Sequence, residues 1–373
     1  MARRETQTAT PVTGTSGRRK KGRKVSNSGR IRRKELPSFT RRLSAMLDAG
    51  LPLIQCLEGL AEQTQVKEFR HVLINLRQRV EGGNSFAEAL AEYRLLFGDL
   101  YVNMIRAGEL GGSLSEVTSR LASYLEASAA LRRKIFSAAM YPLVILILAG
   151  SLTVGMLLFI VPTFKDIYDD FNAELPGPTN VLILISDIIR YRAPYVILGL
   201  IVGIIAFVQI KKTEKGGLTI DRWFLKLPVF GMLIEKIALA RFSRTFASLL
   251  RSGVPILRSV EIVSTATGNK YIGRALKSCA PEIEGGKAVA VAMKETKVFP
   301  PMILHMMSVG EKTGNIDGML EKIADFYEDE VSNMLDGLSS MIEPLLMAVL
   351  GIVIGGIVIA MFMPIFSLHK LIS

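Results

Sequence analysis

The residues of this 373-residue chain whose types could do chemistry are three histidines, two cysteines and a lysine-bearing glycine turn. Their spacing removes most of them. His71, His305 and His369 lie far apart with no paired ligand spacing, so surface or core histidine is the expectation and no metal site is predicted. Gly310-Glu311-Lys312-Thr313 comes nearest to a phosphate loop, but the upstream glycine is missing and no strand precedes it. No Ser/His/Asp set can be assembled. Cys56 and Cys279 read as reduced packing residues in soluble helices. The expectation is a protein that is not an enzyme, with no catalytic residues and no cofactor. What survives is a pair of acidic turns, Gly108-Glu109 and Gly310-Glu311. Turn chemistry accounts for the glycines as helix ends and for Ser113 and Asn315 as starts of the next helix, with the acids facing water. It does not account for the acids themselves, so Glu109, Glu311 and the adjoining Lys312 are the candidate partner contacts.

The two turns occupy equivalent places in an internal repeat. Residues 39–164 match 242–366 at an offset of 203, later 202. FTRRLSAMLDAGLPLIQCLE meets FSRTFASLLRSGVPILRSVE, pairing Phe39, Arg41, Gly50, Pro52 and Glu58 with Phe242, Arg244, Gly253, Pro255 and Glu261. Gly82-Gly83 meets Gly285-Gly286, and Pro142, Pro162 and Phe164 meet Pro344, Pro364 and Phe366. Apolar residues at i, i+4, i+7 and i+8 (Phe39, Leu43, Met46, Leu47; then Phe242, Phe246, Leu249, Leu250) give each copy an inward helical face. Gly50 and Gly253 fit left-handed C-caps, with Pro52 and Pro255 in the first turn of the next helix: a structural hairpin motif. Ser85 with Glu88, and Ser113 with Glu116, have capping-box spacing. The last helix of each copy, with Leu114, Val117 and Leu121 or Ile316, Met319 and Ile323 inward, is a stalk leading to an apolar stretch.

Those stretches, Leu143–Val161 and Leu345–Met363, are nineteen uncharged residues each, enough at 1.5 Å per residue to cross the ~30 Å hydrocarbon core of a bilayer. Tyr195–Ile210, sixteen uncharged residues after Pro194, reads as a third span. If both copies face the same way, one return crossing is needed, and this one supplies it. Arg132, Arg133 and Lys134 before the first span and Lys211, Lys212 and Lys215 after the return span put both helical domains in the cytoplasm. The expected fold is an all-α membrane protein with two homologous cytoplasmic helical bundles of about six helices each and three transmembrane helices. Its parts are a disordered basic tail (1–35), domain 1 (36–142), spans at 143–164, 195–210 and 344–365, a short periplasmic segment (165–194), domain 2 (211–343) and a periplasmic tail (366–373). Residues 1–34 carry a charge of +11 and the remainder only +1. The excess over neutrality therefore belongs to the tail, read as lying against anionic lipid and binding no nucleic acid. No apolar stretch follows Arg3 and Arg4, so an export signal is not expected. The spans hold no Asp, Glu, Lys, Arg or His and few Pro or Gly interruptions, which counts against the competing reading as a transporter with internal repeats.

Over about residues 36–368 the chain resembles the inner-membrane platform proteins of type IV pilus and type II secretion machines. The paired AGLPL (49–53) and SGVPI (252–256), the paired Gly-Glu turns and the closing IEPLLMAVLGIVIGGIVIAMFMPIF (342–366) carry the likeness. GEKTGN together with GIVIGGIVIAM is more similar to pilus members than to secretion members. The resemblance implies a non-enzymatic platform in the bacterial inner membrane, a homo-oligomer. Its implied partners are hexameric motor ATPases on the cytoplasmic side, pilin or pseudopilin subunits, other inner-membrane assembly proteins and membrane lipids.

Overall fold

The computed structural model of the chain describes residues 28–170 and 177–372, and every regular element among them is helical. Most of the basic tail, residues 171–176 and Ser373 lie outside the described residues. The first repeat runs through α1 (Ser28–Asp48), α2 (Leu53–Gln63), α3 (Lys67–Glu81), α4 (Phe86–Glu92), α5 (Arg94–Leu110) and α6 (Leu114–Gly155). The second runs through α10 (Phe230–Arg251), α11 (Ile256–Ala266), α12 (Lys270–Glu284), α13 (Val289–Glu295), α14 (Pro301–Thr313) and α15 (Ile316–Ile372). Both contribute to one contiguous apolar core. The inward faces meet there: Phe39 stands edge-on to Phe69 at 5.3 Å between ring centroids, and Phe242 packs on Phe299 at 5.4 Å. α1 begins at Ser28, so residues 28–35, expected in the tail, are helical, and Ile31 at 1% exposure reaches the core.

The hairpins end α1 and α10 with crossed backbone bonds. Leu51 N–H reaches Met46 O at 3.1 Å and Gly50 N–H reaches Leu47 O at 3.0 Å, while Val254 and Gly253 do the same to Leu249 and Leu250. Such a cap needs a left-handed residue, and Gly50 and Gly253 have φ of 81° and 78°. Pro52 and Pro255 stand one position earlier than expected. They are N-caps, whose carbonyls accept the first helical bonds from Cys56 and Ser259. A Cβ at either glycine meets nothing within 4 Å, so the penalty of a substitution there is conformational alone. Gly50→Val and Gly253→Val are each expected to lower the unfolding free energy of the full chain in detergent by about 1–3 kcal/mol, with Gly→Asn milder. Unchanged denaturation midpoints in both valine variants would overturn the cap.

α6 and α15 pass from the domains into the apolar stretches without a break, and each is long and apolar enough to cross a membrane. α6 runs on through a π-helical turn (Met156–Ile160) into α7 (Val161–Asp170). The expected third span is not a single straight helix long enough to cross a membrane. Tyr195–Ile210 is the second half of α8 (Gly177–Lys212), which bends by 74° between Gly177–Arg192 and Ile197–Lys212 and reaches the length of a span only with its two halves taken together. The bend surrounds Pro194, which cannot donate to the preceding turn. The first half of α8, expected as part of a loop, is helical and buries Ile183 against Leu157, Val161, Ile357 and Met361. Thr179 donates to Ala360 O at 2.6 Å and Ser186 to Leu157 O at 2.5 Å, tying this half to both other spans. The second half exposes Leu198, Leu200, Ile201, Ile204 and Ile205, apolar on every side, as a helix surrounded by lipid does.

Candidate coupling interface between domains and membrane

The Gly-Glu turns sit where each domain meets its stalk. Neither Gly108 nor Gly310 ends a helix. α5 continues to Leu110 and α14 to Thr313, and the left-handed glycines that close these turns are Gly112 (φ 66°) and Gly314 (φ 71°). Gly108 and Gly310 are instead buried where α5 and α14 approach the stalks. A Cβ on Gly108 would stand 3.0 Å from Val117 Cβ, and one on Gly310 would stand 2.9 Å from Ile316 Cα. The acids next to them do not face water. Glu109 accepts from the backbone N–H groups of Phe86 (2.5 Å) and Ala87 (2.8 Å), and Glu311 accepts from Val289 and from Ala290 (3.0 Å). Each carboxylate therefore closes the N-terminus of the short helix α4 or α13, satisfying orphan donors at the positive end of its dipole. Ser85 and Glu88 form the expected capping box at α4, whereas Ser113 makes no side-chain cap on α6. The N-cap of α13 is Ala288, which has no capping side chain, so Glu311 takes that role from a distance. Lys312 is exposed in the last turn of α14.

A second duplicated device joins the first helix of each domain to its stalk. Arg41 makes a two-pronged bond to Glu126 at 2.7 and 2.5 Å, and Arg244 makes the same fork to Glu328 at 2.9 Å on both prongs, with Asp325 at 2.6 Å. The Glu126 carboxylate raises the Arg41 pKa. Around Arg244 burial works against the charge, but bonds to Glu328 and Asp325 outweigh it and hold the guanidinium above its usual range. Sequence reasoning matched the two arginines and missed the glutamates, although these too stand 202 residues apart. The stalks then join each other. Val331, Leu335 and Leu233 bury a patch with Leu131, Ile135 and Ala138 against it, Lys134 donates to Ser332, and Tyr141 donates to Glu343 at 3.1 Å just before Pro142 and Pro344. Tyr124 and Thr245 share a 3.1 Å bond, linking the first stalk to α10. Above this seam a cleft of about 570 Å³ separates the Gly111–Ser113 turn from the Gly253–Pro255 hairpin, with Arg106, Arg120 and Arg251 around it.

The C-terminal end of α8 is tied down as well. The Lys270 ammonium donates to the carbonyls of Lys211 (2.8 Å), Lys212 (3.2 Å) and Thr213 (2.8 Å), neutralising the C-terminal end of α8. Asp221, buried in α9 (Glu214–Phe224), accepts from Lys270 N–H at 2.8 Å. Both cysteines are buried and free. Burial, followed by the charges of Glu282 and Glu295, pushes the Cys279 thiol up to about 11. Since only the thiolate reacts, Cys279 is expected to resist iodoacetamide at pH 8 in the folded chain and to react once urea unfolds it. Equal rates in the two states, read by mass spectrometry, would contradict its burial.

A duplicated helical domain whose copies each continue into an apolar helix defines an integral membrane protein of tandem design. The family model described as Type II secretion system (T2SS), protein F matches it twice, over residues 39–162 and 242–364, each match running from the first helix of a domain to the end of its apolar stretch. The chain belongs to this family. The type IV pilus assembly protein PilC of Myxococcus xanthus is 41% identical over 344 residues, covering 92% of this chain and 82% of its own length. PilC of Thermus thermophilus is 41% identical over 341 residues, 91% of this chain and 84% of its own. The type II secretion system protein F of Xanthomonas campestris is 32% identical over 340 residues, 91% and 84%.

Proposed function

We propose that this chain is a non-enzymatic platform in the bacterial inner membrane that couples a cytoplasmic motor ATPase to assembly or retraction of a type IV pilus. The observation that carries the reading is the unbroken passage of α6 and α15 from the helical domains into their spans, with the two stalks bonded together by Tyr141 and Glu343. A displacement of either domain would reach the membrane through a rigid rod. The pilus reading is favoured over a secretion platform because the relatives named for pilus assembly share 35% to 41% identity, against 30% to 32% for those named for secretion. In this reading both domains and the N-terminus are cytoplasmic, α8 is the return crossing, and pilin subunits and other inner-membrane assembly proteins meet the spans. The carboxylates of Glu109 and Glu311 are occupied within the chain, which leaves Lys312 as the exposed member of the three candidate contacts.

A photo-crosslinking residue at Lys312, activated in cells, tests the motor contact. A hexameric ATPase among the captured proteins is the expected result, and its absence, with pilin subunits also absent, would sink the reading. The orientation has its own check. Single cysteines at Asn172 and Ser373 in a chain lacking Cys56 and Cys279 are expected to react with an impermeant maleimide in intact spheroplasts; protection of both would invert the topology.

A further inference from the structure

We infer that residues 211–232, the turn of chain between the end of α8 and the start of α10, form an interfacial anchor that binds an anionic lipid surface. Four large apolar side chains in ten residues face outward here: Trp223, Val229, Phe230 and Met232 are 62%, 44%, 53% and 54% exposed. Among the described residues outside α6, the π turn, α7, α8 and α15, no other stretch of that length exposes as many. Their height relative to the membrane is fixed by contacts on both sides. Phe224 meets Phe207 of α8 edge-to-face at 6.5 Å, and Phe207 lies five residues, roughly 7 Å of helix, inside the end of α8. α9 thus folds back beside the last apolar turns instead of projecting into water. The Lys270 ammonium on the α8 carbonyls and the Asp221 bond to Lys270 N–H hold it there, and Gly217 gives the lysine its path, since a Cβ would lie 2.4 Å from Lys270 Nζ.

Charge supplies the second half of the argument. Lys211, Lys212, Lys215, Arg222 and Lys226 are all exposed around the apolar group. Of the two acids in the segment, Asp221 is buried and engaged by Lys270 N–H and, at 3.7 Å, by Lys211, leaving Glu214 as the exposed one. A tryptophan at headgroup depth, ringed by cations, matches a leaflet that is apolar below and anionic above. A protein partner would have to displace lipid from a surface already at the membrane. The inference rests on the proposed crossing of the membrane by α8 and holds whichever machine the chain serves.

Trp223 is the one tryptophan of the chain, so the intrinsic emission of the full-length protein in nanodiscs reports this site alone. Phospholipids brominated near the glycerol end of the acyl chain are expected to quench it about two-fold or more, and those brominated near the methyl end less, as for a side chain at the headgroup–acyl boundary. Phosphatidylglycerol in place of part of the phosphatidylcholine should increase protection from aqueous acrylamide, and the variant Lys215→Gln with Lys226→Gln should lose that difference. Free quenching by acrylamide with none by brominated lipid would place Trp223 in water and overturn the anchor. Emission untouched by either quencher would assign the surface to a second copy or another protein and overturn it equally. Quenching by brominated lipid that is indifferent to phosphatidylglycerol in the unsubstituted chain would overturn the anionic preference.

Discussion

If the chain works as the proposed platform, proline variants in the exposed part of either stalk are expected to insert and accumulate yet assemble no fibres, while the ATPase activity of the motor survives. An interior proline removes one helical hydrogen bond and clashes with the preceding turn, a local cost of ~3 kcal/mol or more. Its place decides what it reports. Ala122 and Ala324 are fully buried in the domain core, so prolines there would unfold the domain and say nothing of the rod. Ala130 in α6 and Gly337 in α15 are exposed within the stalks, and a Cβ at Gly337 meets open space. Ala130→Pro and Gly337→Pro therefore break helix continuity with the least damage to packing. Gly337→Ala is the matched control, expected to stabilise the helix by about 1 kcal/mol and to leave assembly intact. Normal fibres from both proline variants would refute transmission through the stalks, whereas loss of fibres with the alanine control as well would point to a needed hinge at Gly337.

Glu311→Ala should destabilise the chain far more than a change at its charged neighbour Lys312, and Glu109→Ala is its counterpart in the first repeat. Each removes the acceptor for two backbone N–H groups at the start of a seven-residue helix too short to hold its own end. Leaving buried donors unpaired costs about 1–3 kcal/mol, with the lost charge–dipole attraction adding about 0.3–1 kcal/mol. Glu→Gln keeps one acceptor and should fall between. Lys312→Ala, one residue away and exposed, should change stability by no more than about 0.5 kcal/mol. Thermal unfolding of the full chain in detergent separates these. A Lys312 effect equal to the Glu311 effect would mean that the segment acts as a whole, not through this carboxylate.

The sequence-level reading succeeded where one residue type answers to a local rule and failed where the partner lies across the fold. Helical periodicity exposed the inward faces of α1 and α10, and the glycines of the hairpins revealed left-handed caps, because backbone sterics act within a few residues. Glu109 and Glu311 were legible as unexplained acids but not as caps: the helices they close begin about twenty residues earlier in the chain, and no local pattern links an acid to a helix end so far away. Lys270 was invisible for the same reason, its three carbonyl partners lying nearly sixty residues upstream. The first half of α8 was not legible as a helix packed on the apolar helices, because an uncharged count is blind to packing. Thr179 and Ser186 let the first half of α8, interrupted by Asp187 and Arg190, dock on the two long apolar helices, and the helix then bends at Pro194.

The bond between Tyr141 and Glu343 has one more consequence, because these residues occupy the same position in the two repeats, 202 residues apart. A homodimer of either half would bring tyrosine against tyrosine, or two carboxylates together at the rim of the membrane, where they repel. Divergence of the two halves has set a donor opposite an acceptor at equivalent positions of the repeats. Fusion also keeps the pair at one-to-one stoichiometry however dilute the protein becomes, since the tether replaces bulk concentration with a local one of roughly millimolar order. Duplication has thus given this chain a pair of unlike halves joined by a charge-assisted bond that neither half would form with its own twin.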